Sequence, residues 1–200
     1  MSASVFLQGG GVSLRPVEEA DYDFFQRNAN HPDVRPGFGG GRPASADDVA
    51  GRVEEMQDDD EAETFLVCAE GPRADDSADE ADGSPTRVGE VFLFDLYDGR
   101  GSVELGYWIA PAHQGNGYAT AAAELAVDYC LIERRLHKVN ARVLAFNDGS
   151  RAVLEKLGFE REGCRRDDFY VAGEYVDADL YGLLADEWDG LGAADSGRSA

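Results

Sequence analysis

The stretch IAPAHQGNGYATAAAELAVDY, residues 109–129, contains the strand-to-helix junction from which the fold can be worked out. An apolar, strand-like run ends at Ile109, and an alanine-rich helical pattern begins near Tyr118. Gly115 and Gly117 stand between them, although a glycine inside a helix costs roughly 1 kcal/mol. Two glycines at this place either let the backbone approach a ligand closely or form a plain tight turn.

A helix that starts at this junction offers a binding site for an anion. Its first turn presents N–H groups without intrahelical acceptors and about half a positive charge. Glycine lets such a backbone curve around an oxyanion with no side chain in the way. The stretch has neither the GK[ST] ending of a Walker loop nor a GxGxxG pattern. The sequence therefore favours a diphosphate held mostly by backbone N–H groups.

Hydrophobic periodicity predicts the element order β α α β β β α β α β β. The predicted strands cover residues 12–17, 64–70, 88–97, 102–110 and 138–146, followed by two strands that meet near residues 172–173. The predicted helices cover residues 18–29, 45–56, 118–134 and 149–158. We therefore expect an α/β (α+β) fold with a single mixed, mostly antiparallel sheet of about seven strands and helices on both faces. One βαβ unit should cross over with a right hand.

The length of 200 residues predicts one domain, which we place at residues 12–189. Residues 1–11 and 190–200 are expected to be flexible tails. Residues 71–86 are rich in acids and lack apolar periodicity, so they are expected to form an acidic surface loop.

The net charge of −22, from 40 acidic and 18 basic residues, is extreme for a chain of this size. Such a surface repels nucleic acid phosphates and anionic membranes, so neither is an expected partner. The acids are spread along the chain, and only two of the basic residues are lysine. An acidic, lysine-poor surface of this kind indicates adaptation to high salt, where self-repulsion is screened.

Targeting and metal signals are missing from the sequence. There is no run of 18 apolar residues and no secretory leader pattern, which predicts a cytoplasmic protein. The three cysteines, Cys68, Cys130 and Cys164, form no CxxC pair and lie in apolar segments. They are expected to be buried free thiols, and no metal site is predicted.

Several motifs in the same order resemble the GNAT superfamily of acetyl-CoA-dependent N-acetyltransferases. QGNGYA, residues 114–119, is similar to the Q/R-x-x-G-x-G/A pyrophosphate loop of that superfamily. The longer block LGYWIAPAHQGNGYAT resembles the Rim-type (RimJ/RimL-like) branch, which acetylates the N-terminal amines of ribosomal proteins. Asn147 to Ser150, an N-x-x-S motif, and the EKLGF that follows match the next block of that branch. LRPVEEAD and DADLYGLLADEW match its first and last strands, so the resemblance covers roughly residues 12–189.

The resemblance implies acetyl-CoA as co-substrate and assigns residues to it. A backbone N–H of Ile109 or Ala110 would stabilise the developing oxyanion. Asn147 would contact the pantetheine arm, and Ser150 would form a hydrogen bond to the thiolate sulfur. The residues of the pyrophosphate cradle would be Gln114, Gly115, Asn116, Gly117, Tyr118, Ala119 and Thr120.

The general base is predicted from the strand pattern. Alternation puts Glu104, Gly106 and Trp108 on one face of a strand, which makes Glu104 the candidate base, with Glu90 as a second candidate. A solvated-face glutamate is an equal alternative for Glu104, and a helix-capping hydroxyl is the alternative for Ser150. Many GNAT members have a tyrosine acid at the position occupied here by Leu154, so that acid is missing.

The resemblance makes an N-acetyltransferase the leading hypothesis, with a protein N-terminus, such as that of a ribosomal protein, as the amine acceptor. Two alternatives stay open: the same reaction on a small amine such as an amino acid, polyamine or aminoglycoside, and a non-catalytic module that binds acyl-CoA. The protein is expected to be a monomer or a homodimer. Only turnover would separate the third hypothesis from the other two.

Overall fold

The computed structural model describes residues 4–38, 42–70, 85–97 and 99–191 of the chain. Its strands are β1 Leu7–Gly9, β2 Val12–Pro16, β3 Glu63–Ala69, β4 Thr86–Tyr97, β5 Ser102–Ile109, β6 Lys138–Leu144, β7 Glu160–Val171 and β8 Glu174–Leu184. Its α-helices are α1 Tyr22–Ala29, α2 Ala46–Asp58, α3 Tyr118–Asp128 and α4 Asp148–Lys156, and a π-helical turn, Tyr129–Glu133, extends α3. Residues 71–84, most of the predicted acidic loop, lie outside the described part, as do residues 192–200 of the predicted C-terminal tail.

All eight strands form one sheet in the order β1-β2-β3-β4-β5-β6-β8-β7. Neighbouring strands run antiparallel except β5 and β6, which are parallel and joined through α3. The predicted mixed, mostly antiparallel sheet is confirmed. About seven strands were predicted and eight are described; the additional strand is β1, which pairs with β2 from Leu7↔Leu14 to Gly9↔Val12. This strand lies in the segment that we predicted as a flexible N-terminal tail.

Side chains alternate between the two faces of the sheet and pack against different helices. On β3, Phe65 and Val67 belong to the larger core, which includes buried residues of α3 and α4. Leu66 and Cys68 belong to a smaller core beneath α1 and α2. We call these the α3/α4 face and the α1/α2 face.

Local sequence signals explain where the helices begin. Ser45 and Asp48 form a reciprocal capping box that starts α2, as predicted. Asn147 caps α4 by accepting a hydrogen bond from the Ser150 N–H at 3.0 Å. On α3, Ala122 and Ala126 are fully buried, so small side chains bring this helix close to the sheet.

The cysteine prediction holds for two residues and is wrong for the third. Cys68 and Cys130 are buried and form no disulfide, and burial raises the pKa of Cys130 to about 12. Cys164 is exposed, because it lies on β7 at the edge of the sheet. In the described ranges, no helix combines the length and apolar character that crossing a membrane requires.

Candidate active site

Strands β5 and β6 separate after a short paired stretch and leave an opening in the middle of the sheet. Their pairing runs only from Ser102↔Lys138 to Glu104↔Asn140, whereas β5 continues to Ile109 and β6 to Leu144. The separated part of β5 therefore has one edge that β6 does not cover. We call this gap the β5–β6 opening.

Strand alternation decides which backbone groups line the opening. The Ala110 N–H donates to the Val88 carbonyl on β4 at 2.8 Å. Backbone groups of successive residues point to opposite edges of a strand, so Tyr107 and Ile109 direct their N–H groups away from β4, toward the opening. Of the two oxyanion donors that we predicted, the Ala110 N–H is bonded to β4, and the Ile109 N–H points toward the opening.

The loop that follows β5 has a conformation that requires glycine. Gly115 and Gly117 have φ angles of +76° and +81°, in the region that residues with a Cβ rarely adopt. A Cβ added at either residue would meet nothing within 4 Å, so the space beside both glycines is open. The first intrahelical bond of α3 runs from the Ala121 N–H to the Gly117 carbonyl at 3.0 Å. The N–H groups before Ala121 therefore lack intrahelical acceptors and can face a ligand.

The polar side chains of the loop form hydrogen bonds to nearby backbone carbonyls and so stabilise the conformation of the loop. Gln114 Nε2 donates to the Ile109 carbonyl at 3.0 Å, which ties the loop to the end of β5. Asn116 Nδ2 donates to the carbonyls of His113 and Gln114 at 3.0 and 3.3 Å. The Tyr118 side chain is buried in the core, whereas the residues that follow it, Ala119 and Thr120, are half-buried. An anion at this loop would therefore be held mainly by backbone groups.

Ser150 sits in the first turn of α4 and meets a partner that the sequence did not reveal. Its Oγ donates to the Tyr107 hydroxyl oxygen at 3.0 Å, and the Tyr107 hydroxyl donates to the Ser150 carbonyl at 3.1 Å. Burial raises the pKa of Tyr107 to about 12, against a smaller lowering by Ser150. Asn147 uses Oδ1 for the cap, so its Nδ2 is the part that could contact a ligand. Leu154 is fully buried.

Glu104 lies on the α1/α2 face of β5 and is partly exposed. Its Oε1 lies 3.4 Å from Nε of Arg142. Nη1 of the same arginine lies 3.5 Å from Oδ2 of Asp168. Glu104 precedes Tyr107 by three residues and Ile109 by five, about 10 and 16 Å along a strand. An acyl carbonyl at either N–H would be out of direct reach of this carboxylate.

Glu90 is fully buried on the same face and is surrounded by donors. It accepts hydrogen bonds from Trp108 Nε1 at 2.6 Å and from Thr64 Oγ1 at 2.9 Å. Arg52 of α2 forms an ion pair with it at 3.1 Å. Trp108, whose ring stacks on Phe24 at 5.6 Å, is thus fixed beside the end of β5. These contacts favour a positioning role for Glu90 over that of a base.

The structure brings the predicted loop, Ile109, Asn147 and Ser150 to the two sides of one opening, and leaves Glu104 lower on the strand. The sequence missed the Tyr107–Ser150 contact and the Glu90–Trp108 contact. Strand alternation places Tyr107 and Trp108 on opposite faces of β5, but it does not identify the residue that either side chain contacts. Among the described residues, no group of three or more His, Cys, Asp or Glu side chains could hold a metal ion.

Residues 12–160 of the chain match the family described as "Acetyltransferase (GNAT) domain". This match covers well over half of the chain, so the chain belongs to the GNAT acetyltransferase family.

Relatives in this family are named for different acetyl acceptors. The chain is 39% identical over 102 residues to the "Putative ribosomal N-acetyltransferase YdaF" of Bacillus subtilis (strain 168), covering 51% of this chain and 56% of that protein. It is 30% identical over 107 residues to the spermidine N(1)-acetyltransferase of Vibrio cholerae, covering 54% of this chain and 62% of that protein. These alignments therefore span little more than half of each relative.

Solved structures agree with the fold. The spermidine N-acetyltransferase of Vibrio cholerae in complex with CoA and spermine has a TM-score of 0.78 at 24% identity, over 90% of this chain and 98% of that one. Mycobacterium smegmatis RimJ in complex with CoA-disulfide has a TM-score of 0.74 at 25% identity, over 88% of this chain and 83% of that one.

Proposed function

We propose that this GNAT-family chain is an acetyl-CoA-dependent N-acetyltransferase that transfers an acetyl group to a primary amine. The observation that carries the proposal is the β5–β6 opening, which leads to the open, glycine-containing loop before α3. An uncovered strand edge beside a helix N-terminus matches an extended molecule with amides in its arm and a diphosphate at one end. Acetyl-CoA has this form.

The residues of the chain fit that co-substrate in three places. Backbone N–H groups of residues 115–120 hold the diphosphate, with help from the positive end of α3. The free edge of β5 at Tyr107 pairs with an amide of the arm. Asn147 Nδ2 and the Ser150 hydroxyl, at the start of α4, lie on the other side near the thioester.

Acetyl transfer then needs few further groups. The Ile109 N–H donates to the carbonyl oxygen as negative charge develops there. Ser150 donates to the departing sulfur. The acceptor amine attacks from the α1/α2 face, where Trp108 and Glu104 lie on the same strand.

Proton removal from the amine needs only a weak base. An α-amino group has a pKa of about 8, so part of it is already neutral near neutral pH. Glu104 is partly exposed but distant from the reacting atoms, so we assign it a role through water, in which it accepts the proton that the amine loses. Glu90 is not available for this, because it is buried and bound by Trp108, Thr64 and Arg52.

For the acceptor we propose a protein N-terminus, such as that of a ribosomal protein. The Rim-type motifs and the relative named as a ribosomal N-acetyltransferase support this choice. A polyamine is the second candidate, supported by the spermidine acetyltransferase relative and by the carboxylates of Glu104 and Asp168 on the acceptor side. We further propose that the enzyme works in the cytoplasm of a salt-adapted cell, and its acidic surface supports this proposal.

The test is a thiol-release assay with acetyl-CoA in molar KCl, using short peptides with different N-terminal residues, spermidine, spermine and free amino acids as acceptors. Acetylated products are identified by mass spectrometry, which gives the position of the acetyl group. Peptide turnover with little polyamine turnover supports the proposed acceptor, and the reverse result favours the polyamine.

Two results would overturn the proposal at different levels. If calorimetry detects no acetyl-CoA binding, the assignment of the opening and loop is wrong. If acetyl-CoA binds but no amine releases the thiol at any salt concentration, the chain is a binding module without turnover.

A further inference from the structure

The side chains of Tyr107 and Ser150 join the two sides of the β5–β6 opening. Tyr107 projects from β5, and Ser150 belongs to α4, which follows β6. The phenol oxygen lies 3.0 Å from Ser150 Oγ and 3.1 Å from the Ser150 carbonyl oxygen. One tyrosine hydroxyl therefore holds a single serine through two contacts.

These two contacts allow two hydrogen-bond arrangements without movement of heavy atoms. In the first, Tyr107 donates to the Ser150 carbonyl and accepts the hydroxyl proton of Ser150. In the second, Tyr107 turns its proton to Ser150 Oγ, and the serine hydroxyl is released to donate elsewhere. Both are compatible with hydroxyl groups, whose protons rotate freely.

We propose that Tyr107 is a positioning residue for acetyl transfer, which aims the Ser150 hydroxyl at the sulfur as the carbon–sulfur bond breaks. The inference rests on the acetyl-CoA-dependent function proposed above. In the transfer, the amine nitrogen bonds to the carbonyl carbon, and the electron pair of the broken bond stays on sulfur. The proton that the amine loses passes through water to Glu104. Ser150 then donates a hydrogen bond to the thiolate, and Tyr107 donates one to Ser150 Oγ.

Tyr107 acts here by hydrogen bonding and keeps its proton. Burial raises the pKa of Tyr107 to about 12, whereas a thiol titrates at about 8.5. Transfer of the phenol proton to the sulfur would therefore be unfavourable. A neutral phenol still strengthens the hydrogen bond that Ser150 donates to sulfur, because each hydrogen bond in a chain polarises the next.

The experiment compares Tyr107→Phe, Ser150→Ala and the double variant with the unchanged protein. Tyr181→Phe is the matched control, because Tyr181 is also a buried tyrosine whose hydroxyl bonds to α4, at Glu155 Oε1 and 3.2 Å. Two properties are measured: kcat and KM, and the pH profile of iodoacetamide alkylation of the thiol of CoA bound to excess protein. The second measurement needs no turnover and reports how well the site stabilises a thiolate.

We expect Tyr107→Phe to lower kcat about tenfold, as for one hydrogen bond to a charged group, with KM for acetyl-CoA nearly unchanged. The acid dissociation constant of the bound thiol, from the midpoint of the alkylation profile, should fall by a similar factor of about ten. The double variant should be no slower than Ser150→Ala, since Tyr107 acts through the serine. Tyr181→Phe should match the unchanged protein in both measurements.

Other outcomes separate the inference from the function on which it rests. The role of Tyr107 is refuted, while the proposed function stands, if CoA binds and Tyr107→Phe matches Tyr181→Phe in both measurements. These are kcat and the midpoint of the alkylation profile of the bound thiol. If the losses of Tyr107→Phe and Ser150→Ala multiply in the double variant, Tyr107 does not act through Ser150. If CoA does not bind the unchanged protein, the proposed function and the inference both fail.

Discussion

At the scale of single residues, burial separates two glutamates that lie on one face of the sheet. Glu90 is enclosed by Trp108, Thr64 and Arg52, whereas Glu104 is partly exposed beside Arg142. A buried carboxylate must keep its partners, because a charge without them is costly in a low dielectric. A carboxylate at the surface can exchange its partner for water at little cost. The two residues should therefore respond differently to the same substitution.

We predict that Glu90→Gln lowers the free energy of unfolding by roughly 2 kcal/mol, because the glutamine Nε2 would face a buried donor, Trp108 Nε1 or Thr64 Oγ1, from which the carboxylate now accepts. Glu104→Gln, the matched control, should lower it by less than about 1 kcal/mol. Urea unfolding in molar KCl measures both. Equal losses would mean that the contacts of Glu90 do not stabilise the fold.

The proposed water-mediated role of Glu104 further predicts that Glu104→Gln loses turnover mainly toward lower pH, where more of the amine is protonated.

The glycine loop can be tested with a substitution that separates strain from binding. Gly117 has φ +81° and Gly173, in the turn between β7 and β8, has φ +101°; an added Cβ meets nothing within 4 Å at either. Valine at either residue should cost about 1–2 kcal/mol of stability. Only Gly117→Val should also weaken acetyl-CoA binding, by about tenfold or more, because its side chain enters the space of the diphosphate. Calorimetry in molar KCl gives both dissociation constants, and equal values would remove the loop from the binding site.

At the scale of elements, the sequence predicted what local signals determine. Apolar alternation to Ile109, the glycines after it and the alanine periodicity beyond Tyr118 are all local, and the β5–loop–α3 unit was predicted correctly. Strand β1 was missed because its three residues, LQG, carry no alternation. It forms only because Leu7 and its neighbours pair with β2.

The parts of the candidate site that were missed depend on contacts between distant residues. Tyr107 and Ser150 are 43 residues apart, and Arg52 and Glu90 are 38 apart. The β5–β6 opening likewise depends on where the pairing between two strands stops. Periodicity shows which face a side chain occupies, but it does not show which residue it meets across the sheet. Ser150 was therefore predicted from a motif, and its partner was not.

The turn of the β7–β8 hairpin holds a non-glycine residue at positive φ, and a substitution should relieve this backbone strain. Its turn consists of Ala172 and Gly173, with φ angles of +52° and +101°. Alanine is disfavoured at positive φ, whereas asparagine tolerates it and Asn-Gly is a preferred pair in two-residue hairpin turns. We predict that Ala172→Asn raises the free energy of unfolding by about 1 kcal/mol. The same change at the exposed, helical Ala152 of α4 should lower it by about 0.5 kcal/mol. Urea titration in molar KCl measures both, and a loss of stability at Ala172 would contradict the strain.

At the scale of the whole molecule, charge predicts the salt conditions in which the proposed site should work best. The chain carries a net charge of −22 and only two lysines, Lys138 and Lys156. Coenzyme A adds the negative charge of three phosphate groups. The long-range field of the protein should therefore oppose entry of the proposed co-substrate, whereas the N-terminus of α3 attracts it only over about one helical turn.

Salt should weaken the repulsion more than the attraction. The Debye length falls from about 8 Å at physiological ionic strength to about 3 Å at 1 M, so distant charges are screened first. Contacts inside a partly dry opening are screened less, because little electrolyte lies between the partners. The acids of the surface also repel one another within the fold, and this repulsion falls with the same screening length.

We therefore predict that both the melting temperature and kcat/KM for acetyl-CoA rise between physiological and molar KCl. An anion-binding enzyme with a basic surface should show the opposite trend in kcat/KM, since salt competes with its phosphate contacts. Sucrose is the control, because it stabilises compact states by exclusion but does not screen charge. A rise in melting temperature with sucrose and none with KCl would show that repulsion among the surface acids does not limit the stability of the fold. Flat or falling curves for both quantities in KCl would mean that the acidic surface is no adaptation to salt, and a basic binding partner would then be its more plausible counterpart.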